Sequence, residues 1–312
     1  MKAAVVNDFS KPPLYQDFPE PVARTEEEVI AEVLAAGLHP RVRSQAGGFH
    51  YTSTGELPFI PGVDAVVRDP KGKMRFAIID VDETTLGTMA ERTVIELDRS
   101  VVLPDNTDPI RVAAAMNPAM SSWVALRCRI DFGRGQRVAI LGATGNAGRM
   151  AIQVAKLLGA SQVIAAGRDA AKLDELPTLG ADLTCTFDEL AQAADVDIVI
   201  DYLWGEATAN AMLRILTNRP DRSKPLSWIE VGAIAGAEAA IPAAALRSAR
   251  LALVGSGIGS VPGRDFVKEL PRLAEAVTQG AFEVRAKAMP LSQVEELWTS
   301  TVGSDDRIVL VP

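Results

Sequence analysis

The residues from Gly142 to Gly148 (Gly142-Ala143-Thr144-Gly145-Asn146-Ala147-Gly148) have the types and spacing to do chemistry, because glycines at a turn can bring the backbone against a phosphate. They follow the apolar run Arg137 to Leu141 and precede Ala151, Val154, Ala155 and Leu158, which recur at helical spacing until Gly159 ends the pattern. In such a unit Gly145 lets the backbone approach a pyrophosphate and Gly148 lets the helix pack close to the strand. The helix N-terminus offers N–H groups to phosphate oxygens. Ala143 stands where the strict G-x-G-x-x-G spelling has its first glycine. The expectation of a bound dinucleotide, against an ordinary tight turn, therefore rests on the whole strand, turn, helix and strand context.

The second strand, Ser161 to Ala166, ends at Gly167 and Arg168. A site for NAD carries Asp or Glu about 20 residues past the glycines to bind the ribose hydroxyls. A glycine there removes repulsion against a 2′-phosphate, and a guanidinium can take that phosphate through forked, charge-assisted hydrogen bonds. The pattern therefore favours NADP(H) over NAD(H). Asp169 is a rival acidic partner, but its place before Ala170-Ala171-Lys172-Leu173 reads as a helix N-cap. Lys172 is either a second positive charge for the phosphate or part of a solvated helix face.

The elements that must position these residues follow from the rest of the chain. It has 312 residues, 48% of them apolar, enough for about two domains with a sizeable core. Short strand-like runs broken by Pro and Gly dominate the first third: Lys2 to Val6, Val29 to Ala35, Phe59 to Val67, Met74 to Asp80 and Arg92 to Leu97. They suit an antiparallel, barrel-like module. From about residue 110 helices alternate with apolar strands, at Leu183 to Phe187, Val196 to Tyr202, Trp228 to Gly232 and Arg250 to Gly255. With the two strands around the glycine turn this gives six parallel strands in a doubly wound α/β sheet. A helix around Phe266 to Val277 precedes strand-like pieces at Ala281 to Pro290 and Ile308 to Val311, too short for a third domain and expected to rejoin the first. The expected division is residues 1–112, completed by 279–312, and residues 113–278.

The formal charge is −8 with no basic run, which excludes nucleic acid and an anionic membrane as expected partners. The opening Met1-Lys2-Ala3-Ala4-Val5-Val6 is too short an apolar run for a signal peptide, and no stretch approaches the ~20 apolar residues of a membrane span. A cytoplasmic protein is expected. The two cysteines, Cys128 and Cys185, read as buried free thiols.

Several segments resemble the medium-chain dehydrogenase/reductases, in particular their zinc-independent, quinone oxidoreductase-like branch. These are Ala36-Gly37-Leu38-His39-Pro40, Ile60-Pro61-Gly62-Val63-Asp64, Gly87-Thr88-Met89-Ala90-Glu91 and Ser121-Ser122-Trp123-Val124-Ala125-Leu126. The cofactor turn with Ala151 to Lys156, and Val196 to Asp201, complete the set. The resemblance implies a GroES-like β-barrel catalytic domain, a Rossmann NADP(H)-binding domain and an active site between them. Zinc-dependent members place Cys where this chain has His39 and His where it has Val63, and they carry a four-cysteine lobe. Two His and two Cys cannot supply those ligand sets, so no metal is expected.

A metal-free site of this kind suits hydride transfer to a quinone or to an α,β-unsaturated carbonyl, where orientation and modest charge stabilisation suffice. The candidate catalytic residues are His39, Tyr51 and Asn117. His39 replaces the branch's Asn and is either a pocket residue or a proton donor. Tyr51, in the loop Gly47 to Gly55, is a lid residue and proton donor or a surface aromatic. Asn117 points into the site or merely breaks a helix before Pro118. Ser121, at the family's Thr, contacts the nicotinamide carboxamide or caps the helix that runs to Cys128. Tyr202 and Gly232, at the ends of the fourth and fifth strands, join the cofactor set. Trp204-Gly205 departs from the family's G-G pair, so a bulky ring either narrows the pocket or packs elsewhere. Two further readings stay open: a zinc-free carbonyl reductase with a side-chain acid, and a non-enzymatic NADPH-binding or sensing protein. A homodimer through Arg250 to Gly255 is expected, because that strand would lie at the sheet edge with one charge to protect it.

Overall fold

The computed structural model describes residues 1–79, 84–300 and 305–312. They form two compact units, one of Met1–Asn117, Leu270–Gly280 and Val284–Pro312, the other of Pro118–Glu269 with Ala281–Glu283.

The first unit contains β1 (Lys2–Val5), β2 (Leu14–Asp17), β3 (Glu28–Leu38), α1 (Pro40–Ala46), β4 (Asp64–Arg68), β5 (Met74–Ile78), β6 (Arg92–Glu96) and β7 (Ser100–Val102). Helix α2 (Pro109–Cys128) begins in it. The long β3 organises the sheet. It pairs antiparallel with β4, with β6 and with the last strand of the chain. Along β3, Ala31, Val33 and Ala35 are buried while Ile30 and Glu32 between them are exposed. That alternation is the period-2 signature of a sheet packed on one face. Beneath it lie Val5, Val33, Ile60, Val67, Ile95 and Leu310.

The run Phe59 to Val67 is not one strand. Phe59 and Ile60 make isolated bridges to Val6 and Leu86, and the strand proper starts at Asp64. Pro61 has no N–H to give a ladder, and Gly62 takes φ +115°, so the chain must turn before it can pair. Most other strand ends fall within two residues of the expected ones, but β3 runs on to Leu38, three residues past Ala35, and the strand expected from Ala281 starts only at Ala286. Asp80, the expected end of the Met74 strand, lies outside the described residues.

The second unit contains β8 (Arg137–Leu141), α3 (Asn146–Leu158), β9 (Gln162–Gly167), α4 (Ala170–Leu173), β10 (Leu183–Thr186), β11 (Ile198–Asp201), α5 (Gly205–Asn218), β12 (Leu226–Glu230), α6 (Ala243–Ser248) and β13 (Leu251–Gly255). Its sheet has the order β10-β9-β8-β11-β12-β13 with every pair parallel. Six apolar runs thus become six parallel strands, and the order reverses between β8 and β11, where doubly wound sheets bind ligands. Val138 to Leu141 and Val163 to Gly167 are buried throughout, as strands covered on both faces must be. Arg219, 4% exposed, ties this unit together by donating to the carbonyls of Ala194, Val196, Lys224 and Pro225.

The chain then forms α7 (Gly263–Thr278), β14 (Ala286–Pro290), α8 (Val294–Ser300) and β15 (Arg307–Val311). β14 pairs parallel with β15, and β15 pairs with β3, so the C-terminal pieces do rejoin the first sheet. α2 runs unbroken through Asn117 and Pro118, against the reading in which Asn117 ends a helix. Ser121 is therefore inside α2 and caps nothing. Cys128 is half-buried at the end of α2 and only Cys185 is buried; both thiols are free. Burial pushes the Cys185 thiol up to about 11. Among the described residues no helix is long and apolar enough to cross a membrane.

Candidate functional site

The glycine turn hangs on the end of β9: the N–H groups of Gly142 and Ala143 both donate to the Ala166 carbonyl, at 3.1 and 3.0 Å. Gly142 takes φ +82°, a conformation that costs a glycine little. Gly148 is required by packing, since a Cβ there would lie 2.3 Å from the Gly142 oxygen and 2.6 Å from the Ala143 Cα. Gly145 is different. It is the N-cap of α3, supplies no side-chain cap, and a Cβ on it would meet only the Gly142 oxygen at 3.5 Å. The protein's own packing leaves that position open, as a turn must be if a pyrophosphate is to approach its backbone. Thr144, Asn146 and Ala147 complete the turn, all half-buried. The first-turn N–H groups of any helix have no partner one turn back, so this cradle fits a dinucleotide phosphate.

At the next strand end, a Cβ on Gly167 would lie 2.8 Å from Thr144 Cγ2 and 3.2 Å from Leu173 Cδ2. A side chain at Gly167, an acid included, would therefore force Thr144 to shift. Asp169 spends its carboxylate on capping α4, accepting from the N–H groups of Ala171 at 3.1 Å and Lys172 at 3.3 Å. That leaves Arg168, exposed, and Lys172, half-buried, to set the charge of this corner.

Beyond β11 the fully buried Asp201 carboxylate organises the turn. It accepts from Thr208 Oγ1 (2.6 Å), Trp228 Nε1 (2.9 Å), and the N–H groups of Leu203 (2.9 Å) and Trp204 (3.3 Å). These bonds hold Trp204 at φ +54°, a left-handed conformation that costs a non-glycine residue about 1–3 kcal/mol. The Trp204 side chain is half-buried. Tyr202, from the same turn, places its hydroxyl 3.0 Å from Ser121 Oγ, and Ser121 Oγ is also 2.8 Å from the Pro118 carbonyl. A serine has one proton, and the carbonyl can only accept, so Ser121 donates to Pro118 and Tyr202 donates to Ser121. Burial pushes the Tyr202 phenol up to about 12, with the Ser121 and Ser122 hydroxyls pulling the other way. Gly232 comes close to the Tyr202 backbone, where a Cβ would sit 3.3 Å from its carbonyl oxygen.

In the first unit His39 and Asn117 meet around a residue the sequence reading passed over. Asp64, 2% exposed, accepts from Asn117 Nδ2 at 2.7 Å and faces His39 Nε2 at 3.7 Å. Burial works against the Asp64 charge, but His39, Asn117 and Arg41 outweigh it and hold the carboxyl below its usual range. His39 shifts the other way from an acid's needs: burial lowers its pKa, Asp64 opposes that, and the charges of Arg307 and Arg41 add to the lowering. Arg307, 6% exposed, begins β15, whose Ile308 pairs with Leu38 beside His39. Burial lowers its guanidinium to about 10, still charged at neutral pH. Tyr51 stands apart from this group, 70% exposed with its ring stacked 4.3 Å from that of His50.

The sequence carried a trace of two of the three missed residues. Asp64 is the acid of the Pro61-Gly62-Val63-Asp64 segment and Asp201 ends an apolar strand, where a carboxylate needs a reason to be buried. Nothing in the sequence marks Arg307, because its place beside His39 exists only through the pairing of β15 with β3.

The family model described as zinc-binding dehydrogenase matches residues 147–275. The chain is 28% identical to a protein named as a probable NADPH-dependent quinone reductase of Emericella nidulans, over the whole of both chains. Its fold superimposes on the quinone oxidoreductase of Thermus thermophilus with a TM-score of 0.84 and 25% identity, again over the whole of both. These likenesses support a medium-chain dehydrogenase/reductase, quinone oxidoreductase-like protein. A plant relative, the chloroplastic NADPH-dependent alkenal/one oxidoreductase of Arabidopsis thaliana, is 29% identical over 52% of this chain and 45% of its own. The parallel sheet is that of a Rossmann fold, and the mixed sheet is consistent with a GroES-like barrel.

Proposed function

We propose that this medium-chain dehydrogenase/reductase transfers hydride from NADPH to a quinone or an α,β-unsaturated carbonyl, and does so without zinc. The observation that carries the reading is the open phosphate turn at Gly145 leading to Gly167 and Arg168, in a chain aligned end to end with a quinone reductase. NADPH supplies the hydride from the C4 of its nicotinamide.

The chain's own residues would do the rest. The turn from Gly142 through Ala143, Thr144, Gly145, Asn146, Ala147 and Gly148 takes the pyrophosphate on backbone N–H groups. Gly167 leaves no acid to repel a 2′-phosphate, and Arg168 with Lys172 attracts it. Ser121, Tyr202 and Gly232 border the nicotinamide half.

The donor set near His39 argues against zinc. A catalytic zinc needs three protein ligands, yet the neighbours of His39 are Asp64, the amide of Asn117 and two guanidinium groups that would repel a dication. Val63, at the family's ligand position, is an apolar core residue. Without a Lewis acid, a substrate whose carbonyl is conjugated is the one that hydride transfer can serve by orientation alone. The carbonyl-reductase alternative asks His39 or Tyr51 to deliver a proton. Burial lowers the pKa of His39, so it holds a proton less readily than a free imidazole, and Tyr51 lies on the surface, so neither supports it over the quinone and enone reading.

A homodimer through the open edge of β13 and a cytoplasmic location complete the proposal. They are supported by the edge place of β13 and by the two free thiols.

The test is NADPH consumption with a panel of small quinones, enones and aldehydes, with elemental analysis of the purified protein. Turnover of a quinone or enone by metal-free protein is the expected result. NADPH binding without turnover of any of them, or stoichiometric zinc whose removal abolishes activity, would overturn it.

A further inference from the structure

Helix α2 buries every residue from Val112 to Met120 except one: Asn117 is half-exposed. A polar residue reaching accessible space from the middle of a buried helical run has a use there. Its inward side is already committed, because Nδ2 donates to Asp64 Oδ2 at 2.7 Å. An ionised carboxylate can only accept, so the amide cannot flip without setting Oδ1 against a negative charge. Asp64 therefore fixes the orientation of Asn117, with Nδ2 inward and Oδ1 free to face the accessible side.

Asp64 is itself held as a charge. It is 2% exposed, and His39 Nε2 lies 3.7 Å from its other oxygen. That oxygen, His39 Nε2 and Arg307 Nη2 are all buried without a hydrogen-bond partner. A purely structural network would close such bonds, since each buried polar atom left open costs about 1–3 kcal/mol. Here they are left open beside the residue that Asp64 orients.

We propose that Asp64 is a positioning residue for the reaction. It acts through Asn117, whose Oδ1 it presents as an acceptor to a hydroxyl of the product, as in a hydroquinone or an enol. That hydroxyl forms when the substrate oxygen, carrying the electron pair displaced by hydride addition, takes a proton from water. The proposal rests on the quinone and enone reading above and names the chemical feature recognised: a ligand oxygen that carries a proton in the product and none in the substrate. Asn117 touches that oxygen, and Asp64 with Arg307 behind it sets the angle at which it does so.

Three variants test it, each with its melting temperature and its affinity for NADPH measured alongside kcat and KM. Asp64→Asn keeps the shape and frees the Asn117 amide to flip. It should lower kcat by about 100-fold, the scale of a misplaced contact, with NADPH affinity unchanged. Asn117→Asp sets two carboxylates together and should lose activity at neutral pH and recover part of it in acid, where the pair shares a proton. The double variant Asp64→Asn with Asn117→Asp restores one donor and one acceptor with the acceptor again at position 117, and should recover most of kcat.

Asp64→Asn that is folded and fully active would overturn the proposal. So would a loss confined to stability or NADPH affinity, or a double variant no better than either single. If wild type turns over no quinone or enone, the functional reading fails instead, and that result is seen before any variant is made.

Discussion

Arg168 carries the choice of cofactor, because neither neighbour opposes it: Gly167 brings no acid and Asp169 caps α4. Arg168→Ala should weaken NADPH binding by about tenfold or more, the scale of a lost charge-assisted contact, and leave NADH binding nearly unchanged. Calorimetry with both cofactors decides it, and an equal loss for both would remove the phosphate assignment. Histidine protonation gives a second prediction. Burial, with help from the Arg41 charge, lowers His50 from 6.5 to about 4, and burial also lowers His39. The unfolded chain then binds more protons than the folded one below pH 6.5, so stability should fall as pH drops from 6.5 towards 4. Asp64, lowered as well, extends that loss further into acid. Melting temperature against pH should show the decline, and His50→Gln should flatten it; an unchanged slope would mean His50 is not protonated on unfolding. At this scale the sequence showed the glycines and Arg168, whose meaning lies in local spacing. It did not show the grouping of His39, Asp64, Asn117 and Arg307, which come from separate elements and meet only in the folded sheet.

Two glycines of one turn separate folding from binding at the level of the element. Gly148→Ala would drive a Cβ to 2.3 Å from a backbone oxygen, so α3 must move off β8. The melting temperature should fall along with NADPH affinity. Gly145→Ala meets nothing closer than 3.5 Å. It should melt like the wild type while binding NADPH at least about tenfold more weakly, because its methyl takes the place the pyrophosphate needs. If Gly145→Ala binds NADPH normally, the phosphate does not lie on this turn. The parallel strands were legible because doubly covered strands are continuous apolar runs, and their boundaries held to within two residues. Legibility failed where a backbone rule was overruled by packing. Pro118 loses a helical hydrogen bond yet stays inside α2, where Val112 to Met116 before it and Ala119 and Met120 after it are buried. The helix break that is one of the two readings of Asn117 therefore never forms, and Ser121 turns to the Pro118 carbonyl instead of capping a helix.

Association is the property of the whole molecule that the sheet edge decides. β13 pairs with β12 on one side and ends the sheet. Its residues Leu251, Leu253 and Val254 are half-buried, and Ala252 and Gly255 are exposed. No lysine, proline or bulge within Leu251–Gly255 blunts this edge, although Arg129 Nε already donates to the Gly255 carbonyl at 2.6 Å and the Leu251 N–H to the Ala249 carbonyl at 2.8 Å. A two-fold copy pairing there would satisfy its open N–H and C=O groups with an identical strand. Which groups are open follows from the ladder. Ser256 N–H donates to the Glu230 carbonyl on β12, so by strand alternation the N–H of Val254 also faces β12 while those of Leu253 and Gly255 face outward. Val254→Pro would therefore cut the ladder inside the domain and report on folding. Gly255→Pro removes an outward donor, and a Cβ added there has Glu230 Oε2 at 4.0 Å as its nearest neighbour. Leu253→Pro does the same at mid-strand but also gives up packing against the core. Light scattering should find wild type at twice the chain mass and both variants shifted towards the monomer, Gly255→Pro with its melting temperature nearly kept. Wild-type protein that is monomeric at micromolar concentration would end the dimer proposal. A dimer indifferent to both substitutions would move the interface to another surface.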